Sequence, residues 1–193
     1  MGLHKGFDYS RGGNPTRQCL EENIAALEGG QFGIAFASGM AATTALFQSL
    51  NTGDHVIIGR NVYGGTYRMS VEVLSNHGFE FDFVDTRFLD QIEAAIKSST
   101  KWVFVETPTN PLLEFCDIKE TTKLCKTHEI SLTVDNTFMS PYGQTPLALG
   151  ADIVMHSATK FIGGHSDLIA GSFFEVPKPW GCACRGNRIM PWN

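Results

Sequence analysis

The feature that most constrains the fold of this chain is a regular alternation of strand-like and helix-like segments. Short runs rich in β-branched and aromatic residues, typical of buried strands, occupy residues 55–58, 80–84, 102–106, 132–134 and 152–155. Segments with apolar residues at helical spacing lie between most of these runs. Strands connected through helices pair in parallel, so we predict an α/β fold with a mostly parallel sheet covered by helices on both faces.

The first predicted helix has recognisable termini. Asn14 can act as its N-cap, Pro15 suits its first turn, and Gly29 with Gly30 ends it. Three apolar residues share one face of this helix, namely Leu20, Ile24 and Leu27. The same periodicity predicts four further helices, over residues 38–50, 66–77, 88–97 and 117–128.

Length and composition limit the number of domains and the kinds of partner. A chain of 193 residues with 42% hydrophobic residues can form one substantial core. Its net charge of -5 provides no basic surface for phosphate backbones, so we expect no nucleic-acid partner. No apolar run reaches about 18 residues, and we expect no membrane span. Five cysteines without a disulfide-framework spacing favour a reducing compartment, so we expect a cytoplasmic protein.

Three regions differ in their sequence pattern. We predict an N-terminal segment over residues 1–15 and one folded domain over residues 16–175. Residues 176–193 lose both the strand and the helix periodicity, and we predict that this tail is irregular.

Polar residues follow three of the predicted strands, at the point where each strand ends. In open parallel sheets, ligands bind outside the carboxyl ends of the strands, so these residues are expected to meet in one crevice. An acid, an amide, hydroxyls and a lysine together suit a cofactor with a pyridine nitrogen, a ring hydroxyl and an aldehyde. The residues concerned are Asn110, Asp135, Thr137, Ser157, Thr159 and Lys160.

Each residue type matches one requirement of such a cofactor. The Lys160 amine can form an imine with an aldehyde. The Asp135 carboxylate can keep a pyridine nitrogen protonated, which makes the ring an electron sink. Gly39 opens a helix whose backbone N–H groups can bind phosphate, and Tyr63 can stack on the ring.

Each of these residues also has an ordinary structural explanation when it is considered alone. Lys160 can be a solvated surface charge, and Asp135 can belong to a turn or a helix cap. Gly39 can simply follow a helix N-cap, and Tyr63 can fill a core or a turn. The combination of complementary groups from four loops at one sheet edge favours a cofactor site over these separate explanations.

Six sequence blocks carry a resemblance to a known family. Residues 157–167, Ser-Ala-Thr-Lys-Phe-Ile-Gly-Gly-His-Ser-Asp, resemble the cofactor-lysine signature of the pyridoxal 5′-phosphate (PLP) enzymes of Cys/Met metabolism, which have fold type I. The other blocks, in family order, are residues 9–17, 35–42, 63–66, 106–111 and 134–138. The resemblance extends from about Phe7 to Gly171 and implies the large domain of a PLP-dependent transferase-like fold. It implies that residues 16–175 are the PLP-binding catalytic domain and that residues 1–15 are part of the family's N-terminal arm.

The resemblance implies a role for each matching residue. Lys160 would bind PLP covalently and shuttle protons, Asp135 would contact the pyridine nitrogen, and Tyr63 would stack on the ring and assist proton transfer. The remaining cofactor contacts would come from Gly39, Met40, Asn110, Thr137, Ser157 and Thr159, with the phosphate bound by Gly39, Met40, Ser157 and Thr159. Asn110 would meet the ring hydroxyl or the substrate carboxylate.

The N-terminal arm has two interpretations. In the family, Tyr9 and Arg11 reach the phosphate in the adjacent subunit, which implies a homodimeric active site, usually within a tetramer. Without the resemblance, a solvated N-terminal arm explains both residues.

The blocks look most similar to those of cystathionine γ-lyases. The implied activity is a PLP-dependent carbon–sulfur lyase of transsulfuration, which cleaves cystathionine to cysteine, 2-oxobutanoate and ammonia. Cystathionine β-lyases, cystathionine γ-synthases, methionine γ-lyases and homoserine-ester sulfhydrylases share these motifs and remain alternatives.

Two further classes of function stay open at this point. The family's smaller C-terminal domain, with its carboxylate-binding arginine, has no counterpart in the sequence, so a silent fragment that associates with full-length subunits is one of them. The other is a metal-binding module using His156, His165, Cys182 and Cys184, although a lone Cys-x-Cys lacks the usual ligand spacing.

Overall fold

One seven-stranded sheet organises the chain. The computed structural model describes residues 6–7 and 9–175. The helices are α1 (Pro15–Glu28), α2 (Gly39–Phe47), α3 (Gly64–Arg68), α4 (Leu89–Ala94), α5 (Ile118–Thr127) and α6 (Ser140–Gly143). The strands are β1 (Phe32–Phe36), β2 (His55–Gly59), β3 (Glu80–Val84), β4 (Thr100–Glu106), β5 (Ser131–Asp135), β6 (Ile153–His156) and β7 (Gly171–Glu175). The predicted irregular tail over residues 176–193, and residues 1–5 and 8 of the predicted arm, lie outside the described residues.

The sheet is parallel over most of its width. Its strand order is β1-β7-β6-β5-β4-β2-β3. All pairings among β2 to β6 are parallel, whereas β7 runs antiparallel to both β1 and β6. The prediction of a mostly parallel sheet is therefore confirmed, with one antiparallel strand inserted near an edge.

Strands β1 and β7 were not predicted, and close packing explains their weak sequence signal. Each contains a glycine where another structural element approaches the backbone. A Cβ atom at Gly33 would lie 2.5 Å from the Glu21 carbonyl oxygen, and one at Gly171 would lie 2.2 Å from the Ser38 carbonyl oxygen. Glycine weakens the sequence pattern of a strand. The close packing that requires Gly33 and Gly171 therefore makes β1 and β7 difficult to recognise from the sequence.

Helices cover both faces of the sheet, as predicted. On one face, α2 packs its fully buried Phe47 edge-on against Phe104, with ring centroids 5.6 Å apart. On the other face, α4 and α5 pack Ile92 and Cys125 against the buried Leu132. Each fully buried large apolar side chain contributes about 1.5–3 kcal/mol, so the strands form a firm support for the loops at their ends.

Helix α1 begins and ends where the sequence predicts. The Asn14 side chain accepts hydrogen bonds from two first-turn N–H groups, and Gly29 closes the helix with a left-handed φ of 72°. Of the predicted apolar face, only Ile24 is buried, while Leu20 and Leu27 are 43% and 58% exposed. The reason is that α1 packs over the β1 and β7 edge, which covers only a narrow stripe of the helix.

The segment predicted as one helix over residues 66–77 consists of three different turns. The short α3 continues as a π-helical turn, Met69–Val73, and a 3-10 turn, Leu74–His77. Met69 and Leu74, five residues apart, both pack into the core against the sheet. The wide π turn suits this spacing better than a regular α-helix does. Within the residues that the structure describes, none of the helices combines the length and apolar character needed to cross a membrane.

Candidate active site

A cavity of about 590 Å³ lies at the carboxyl ends of β4, β5 and β6, beside the first turn of α2. Its size falls within the range of small-molecule sites. Nine of the eleven predicted site residues line it, namely Gly39, Met40, Tyr63, Asn110, Asp135, Thr137, Ser157, Thr159 and Lys160. The rule that ligand-binding groups follow parallel strands therefore brings together the residues that it selected.

Asp135 ends β5 as a buried carboxyl at the cavity, with 5% of its surface exposed. Burial raises the pKa of Asp135, while two hydrogen bonds from Thr137 and the nearby charges of His156 and Lys160 act in the opposite direction. The Thr137 hydroxyl and backbone N–H both donate to Asp135 Oδ1, at 2.5 and 3.0 Å. A buried carboxyl held in this way is suited to pair with a positively charged or N–H donor in the cavity.

Thr137 connects the ends of β5 and β6. Its hydroxyl donates to Asp135 and accepts a hydrogen bond of 2.8 Å from the Ser157 backbone N–H. Thr159 is similarly engaged, because its hydroxyl donates to the Ala170 carbonyl oxygen and accepts from the Ala170 N–H. These two threonines line the cavity and at the same time fix the loops around it.

Lys160 is an exposed residue whose side chain lines the cavity. Its Nζ lies 3.4 Å from Ser157 Oγ. The charged side chains that line the cavity in the described part of the chain are Lys160, Asp135 and Glu106. A single amine therefore shares the cavity with two carboxyl groups.

The first turn of α2 borders the cavity. Ser38 caps this helix by accepting a hydrogen bond of 3.0 Å from the Ala41 N–H. The first N–H groups of any helix have no acceptor within the helix, which makes such a turn a place where an anion can bind. A Cβ atom at Gly39 would lie 2.8 Å from Ser157 Cβ, so glycine is needed for the approach of the β6 end to the helix.

Tyr63 precedes α3 and is 59% exposed. The ring packs over Gly65, where a Cβ atom would lie 2.5 Å from Tyr63 Cε1 and 2.8 Å from Met40 Sδ. The Tyr63 N–H donates to Glu106 Oε2 at 2.8 Å. Tyr63 is thus fixed by its backbone while one side of its ring borders the cavity.

Glu106 lines the cavity, although it is not among the site residues predicted from the sequence. It is the last residue of β4 and pairs in register with Asp135 on β5. Burial raises the pKa of Glu106 to about 7, with a further contribution from Asp135, while N–H groups of Tyr63 and Asn110 act to lower it. A charged residue at the end of the apolar run 102–105 was the available signal, and it is the same signal that selected Asp135.

A second polar cluster lies on the opposite side of the sheet from the cavity. Glu28 at the end of α1 and His156 at the end of β6 are both fully buried, and His156 Nε2 lies 2.5 Å from Glu28 Oε1. The Asn136 side-chain amide donates to the same oxygen at 2.9 Å. The metal-site hypothesis names His156 as a ligand, whereas its partner in the structure is the Glu28 side chain.

The described residues contain no group of three or more His, Cys, Asp or Glu side chains arranged to hold a metal ion. His165 is exposed. Cys182 and Cys184, the other residues of that hypothesis, lie outside the described residues.

Tyr9 and Arg11 are not among the residues lining the cavity. Both are exposed, and the Arg11 guanidinium lies over the Tyr9 ring at 5.3 Å from its centroid. Arg17 in α1 donates to the carbonyl oxygens of Ser10 and Arg11, which holds this segment against the start of the helix. Within one chain, Tyr9 and Arg11 therefore do not contribute to the lining of the cavity.

Comparisons with known proteins show the family of the chain. The sequence model of the family described as "Cys/Met metabolism PLP-dependent enzyme" matches residues 1–183. The chain is 52% identical over 172 residues to a cystathionine β-lyase MetC of Staphylococcus haemolyticus, covering 89% of this chain and 44% of that protein. It is 50% identical over 180 residues to a cystathionine γ-lyase of Bacillus subtilis, covering 93% of this chain and 48% of that protein.

A solved structure gives the same result. The crystal structure of cystathionine γ-lyase from Lactobacillus plantarum complexed with L-serine superposes with a TM-score of 0.89 at 50% identity. The match covers 92% of this chain and 46% of that one. The chain therefore belongs to the Cys/Met-metabolism family of PLP-dependent enzymes, and it spans about half the length of the curated relatives it matches.

PLP is the cofactor that this family membership implies, and the residues of the cavity fit it. Lys160 supplies an amine, and Asp135 supplies a buried carboxyl without a cationic hydrogen-bond partner among the described contacts. The close approach of Ser157 to Gly39 brings a hydroxyl beside the first turn of α2, where an anionic group can bind. The aldehyde, the pyridine nitrogen and the phosphate thus each have a chemically suitable group on this chain.

Proposed function

We propose that this chain carries the cofactor-binding part of a PLP-dependent carbon–sulfur lyase that cleaves cystathionine to cysteine, 2-oxobutanoate and ammonia. The observation that carries the proposal is the placement of Lys160 and Asp135, from the ends of adjacent parallel strands, in one cavity. Family membership supports the cofactor and the substrate class, and the similarity to a named γ-lyase supports this choice of bond.

The proposed chemistry divides between the cofactor and the residues of this chain. When bound, PLP supplies an aldehyde for the substrate amino group and a ring that stabilises negative charge at the substrate carbons. Lys160 Nζ would attach the cofactor and would carry protons between the substrate Cα and Cβ. The Asp135 carboxyl would pair with the ring nitrogen and hold its proton. Tyr63 would cover the ring and assist proton transfer through its hydroxyl.

Binding of the phosphate and orientation of the substrate are assigned to the surrounding loops. We assign the phosphate to the Gly39 and Met40 N–H groups with the Ser157 hydroxyl, because α2 begins beside Ser157. In this structure the Thr159 hydroxyl hydrogen is directed to Ala170, so Thr159 contributes by holding the loop as well as by lining the site. Asn110 is assigned to the ring hydroxyl or the substrate carboxylate.

A cystathionine β-lyase is the second candidate. The relatives include a cystathionine β-lyase MetC of Staphylococcus haemolyticus and one of Lactococcus lactis, at 52% and 53% identity. Cleavage on the β side of sulfur yields homocysteine and pyruvate, whereas cleavage on the γ side yields cysteine and 2-oxobutanoate. Identification of the oxo acid formed from cystathionine therefore separates the two candidates.

The experiment begins with cofactor binding. The purified chain is mixed with PLP, treated with borohydride and digested, and we expect the label on Lys160. The Lys160→Ala variant should lose covalent attachment, while Lys119→Ala, a change at an exposed position of α5, should retain it. Label on another lysine would contradict the assignment of Lys160. Turnover of cystathionine with analysis of the oxo acid then tests the reaction.

Assembly is part of the proposal. We propose a cytoplasmic homo-oligomer, a dimer or a dimer of dimers, in which Tyr9 and Arg11 reach the cavity of the partner subunit. Their exposure and distance from the cavity of their own chain support this role. The Arg11→Ala variant should bind PLP more weakly, and mixing it with Lys160→Ala subunits should restore a fraction of sites in mixed dimers.

A further inference from the structure

Glu106 contacts two loops that each carry a residue of the cavity. Its carboxylate accepts a hydrogen bond of 2.8 Å from the Tyr63 N–H, and the Asn110 N–H lies close enough to stabilise its negative charge. Tyr63 lies in the loop after β2, and Asn110 lies in the loop after β4. One carboxyl group thus joins two loops in which Tyr63 and Asn110 themselves are exposed.

We propose that Glu106 is a positioning residue whose ionised carboxylate ties the Tyr63 loop to the Asn110 loop, and whose protonation loosens both. The role of these Glu106 contacts in catalysis rests on the proposed function, because Tyr63 and Asn110 are assigned there to the cofactor and the substrate. The hydrogen-bond geometry itself does not depend on that assignment.

The surroundings explain why Glu106 can change its charge near neutral pH. The charged groups that line the same cavity are Asp135, which is its register partner on β5, and Lys160 beyond β6. Burial and the neighbouring Asp135 disfavour a second negative charge, and the pKa of Glu106 rises to about 7. The ionised form accepts stronger hydrogen bonds than the neutral form, so protonation weakens the contacts with both N–H groups.

A purely structural acceptor would behave differently. Glutamine has the shape of glutamate and keeps one carbonyl oxygen for the Tyr63 N–H, but it does not titrate. If Glu106 only fills space and accepts one hydrogen bond, Glu106→Gln reproduces its behaviour at every pH. If Glu106 acts through its charge, the variant matches the wild-type chain only where Glu106 is protonated.

Amide NMR of the chain without cofactor provides the test. Between pH 5.5 and 8.5, we expect the Tyr63 and Asn110 amide protons to shift together with one midpoint near 7. In Glu106→Gln this common titration should be lost. The control variant Glu93→Gln, at an exposed position of α4, should keep it.

Asp135→Asn separates the two carboxyl groups. It should lower the midpoint of the Tyr63 and Asn110 titration, because a neighbouring negative charge is removed, and it should leave the titration itself in place. Loss of the titration in Asp135→Asn, its survival in Glu106→Gln, or its absence from the wild-type chain would each overturn the proposal.

The affinity for PLP tests whether the protonation of Glu106 affects the cofactor site. The ratio of the PLP dissociation constants of Glu106→Gln and the wild-type chain should be largest at pH 8 and about threefold smaller at pH 6, where the wild-type carboxyl is also neutral. A constant ratio would overturn the link between Glu106 and the cofactor site. Failure of the proposed function would instead show as absence of covalent PLP on Lys160, with the amide titration unchanged.

Discussion

Replacement of Glu28 by alanine measures how strongly the buried polar cluster fastens α1 to the sheet. Glu28 is fully buried, and its Oε1 accepts from the Asn136 amide and lies within hydrogen-bond distance of His156 Nε2. Glu28→Ala leaves the buried His156 ring without this hydrogen-bond partner. Asn136 is less affected, because its amide also donates to the Gln144 carbonyl oxygen at 2.8 Å.

The expected cost follows from these contacts. Removing one partner of a buried hydrogen bond typically costs about 1–3 kcal/mol, and the lost packing of the buried Glu28 side chain places this variant near the upper end. We therefore expect the free energy of unfolding to fall by about 3 kcal/mol, a large part of the roughly 5–15 kcal/mol of an ordinary domain. Urea unfolding followed by circular dichroism measures this change. The control Glu22→Ala, at an exposed position of the same helix, should alter stability by less than about 0.5 kcal/mol.

A double-mutant cycle tests whether the loss of stability comes from the contact between Glu28 and His156. His156→Ala alone leaves a buried Glu28 carboxyl without its ring partner, so it should also be destabilising. The double variant should cost at least about 1 kcal/mol less than the two single variants together, because the same contact is lost in each. Additive losses within about 0.5 kcal/mol would refute the reasoning and assign the cost to packing alone.

The remaining predictions concern the cavity. Asp135→Asn should reduce turnover more than cofactor retention, because the phosphate contacts remain, and retention after gel filtration compared with the reaction rate checks this. The raised pKa of Glu106, about 7 against an ordinary 4.5, means that the folded chain binds this proton more tightly than the unfolded chain. The free energy of unfolding should therefore fall by up to about 3 kcal/mol as pH rises from 4.5 to 7 and then level off, and Glu106→Gln should remove this component. Unfolding of both proteins at several pH values tests it, and parallel curves would contradict the prediction. Gly39→Ala should weaken PLP binding by about 1–3 kcal/mol, because its Cβ would lie 2.8 Å from Ser157 Cβ, and an unchanged dissociation constant in a spectroscopic titration would argue against this steric account.

The core of the site was predictable because it needs little three-dimensional information. In a parallel sheet, the residues after each strand meet at one edge whatever the order of the strands. Asp135 and Lys160 could therefore be brought together from strand ends alone, and the structure places both at the cavity. Glu106 obeys the same rule, since it ends β4 beside Asp135, and it could have been selected with them.

Other features depend on contacts that local patterns do not encode. Glu28 and His156 are 128 residues apart, and nothing near either residue indicates the other. The exposure of Leu20 and Leu27 follows from where α1 rests on the sheet, although their spacing suggests a buried face. The engagement of the Thr159 hydroxyl with Ala170 likewise requires the return of the chain toward β7.

The position of β7 between β1 and β6 has a consequence for the order of folding. Strands β2 to β6 each pair with a strand close to them along the chain, so the parallel part of the sheet can form as the polypeptide lengthens. Strand β1 can pair only after β7 has formed, because Phe32 pairs with Glu175 and Phe36 pairs with Gly171. Closing so long a loop is entropically costly before the pairing compensates for it, and such non-local contacts slow folding. We expect α1 and β1 to dock last, and until then β1 leaves an unpaired strand edge that can associate with other chains.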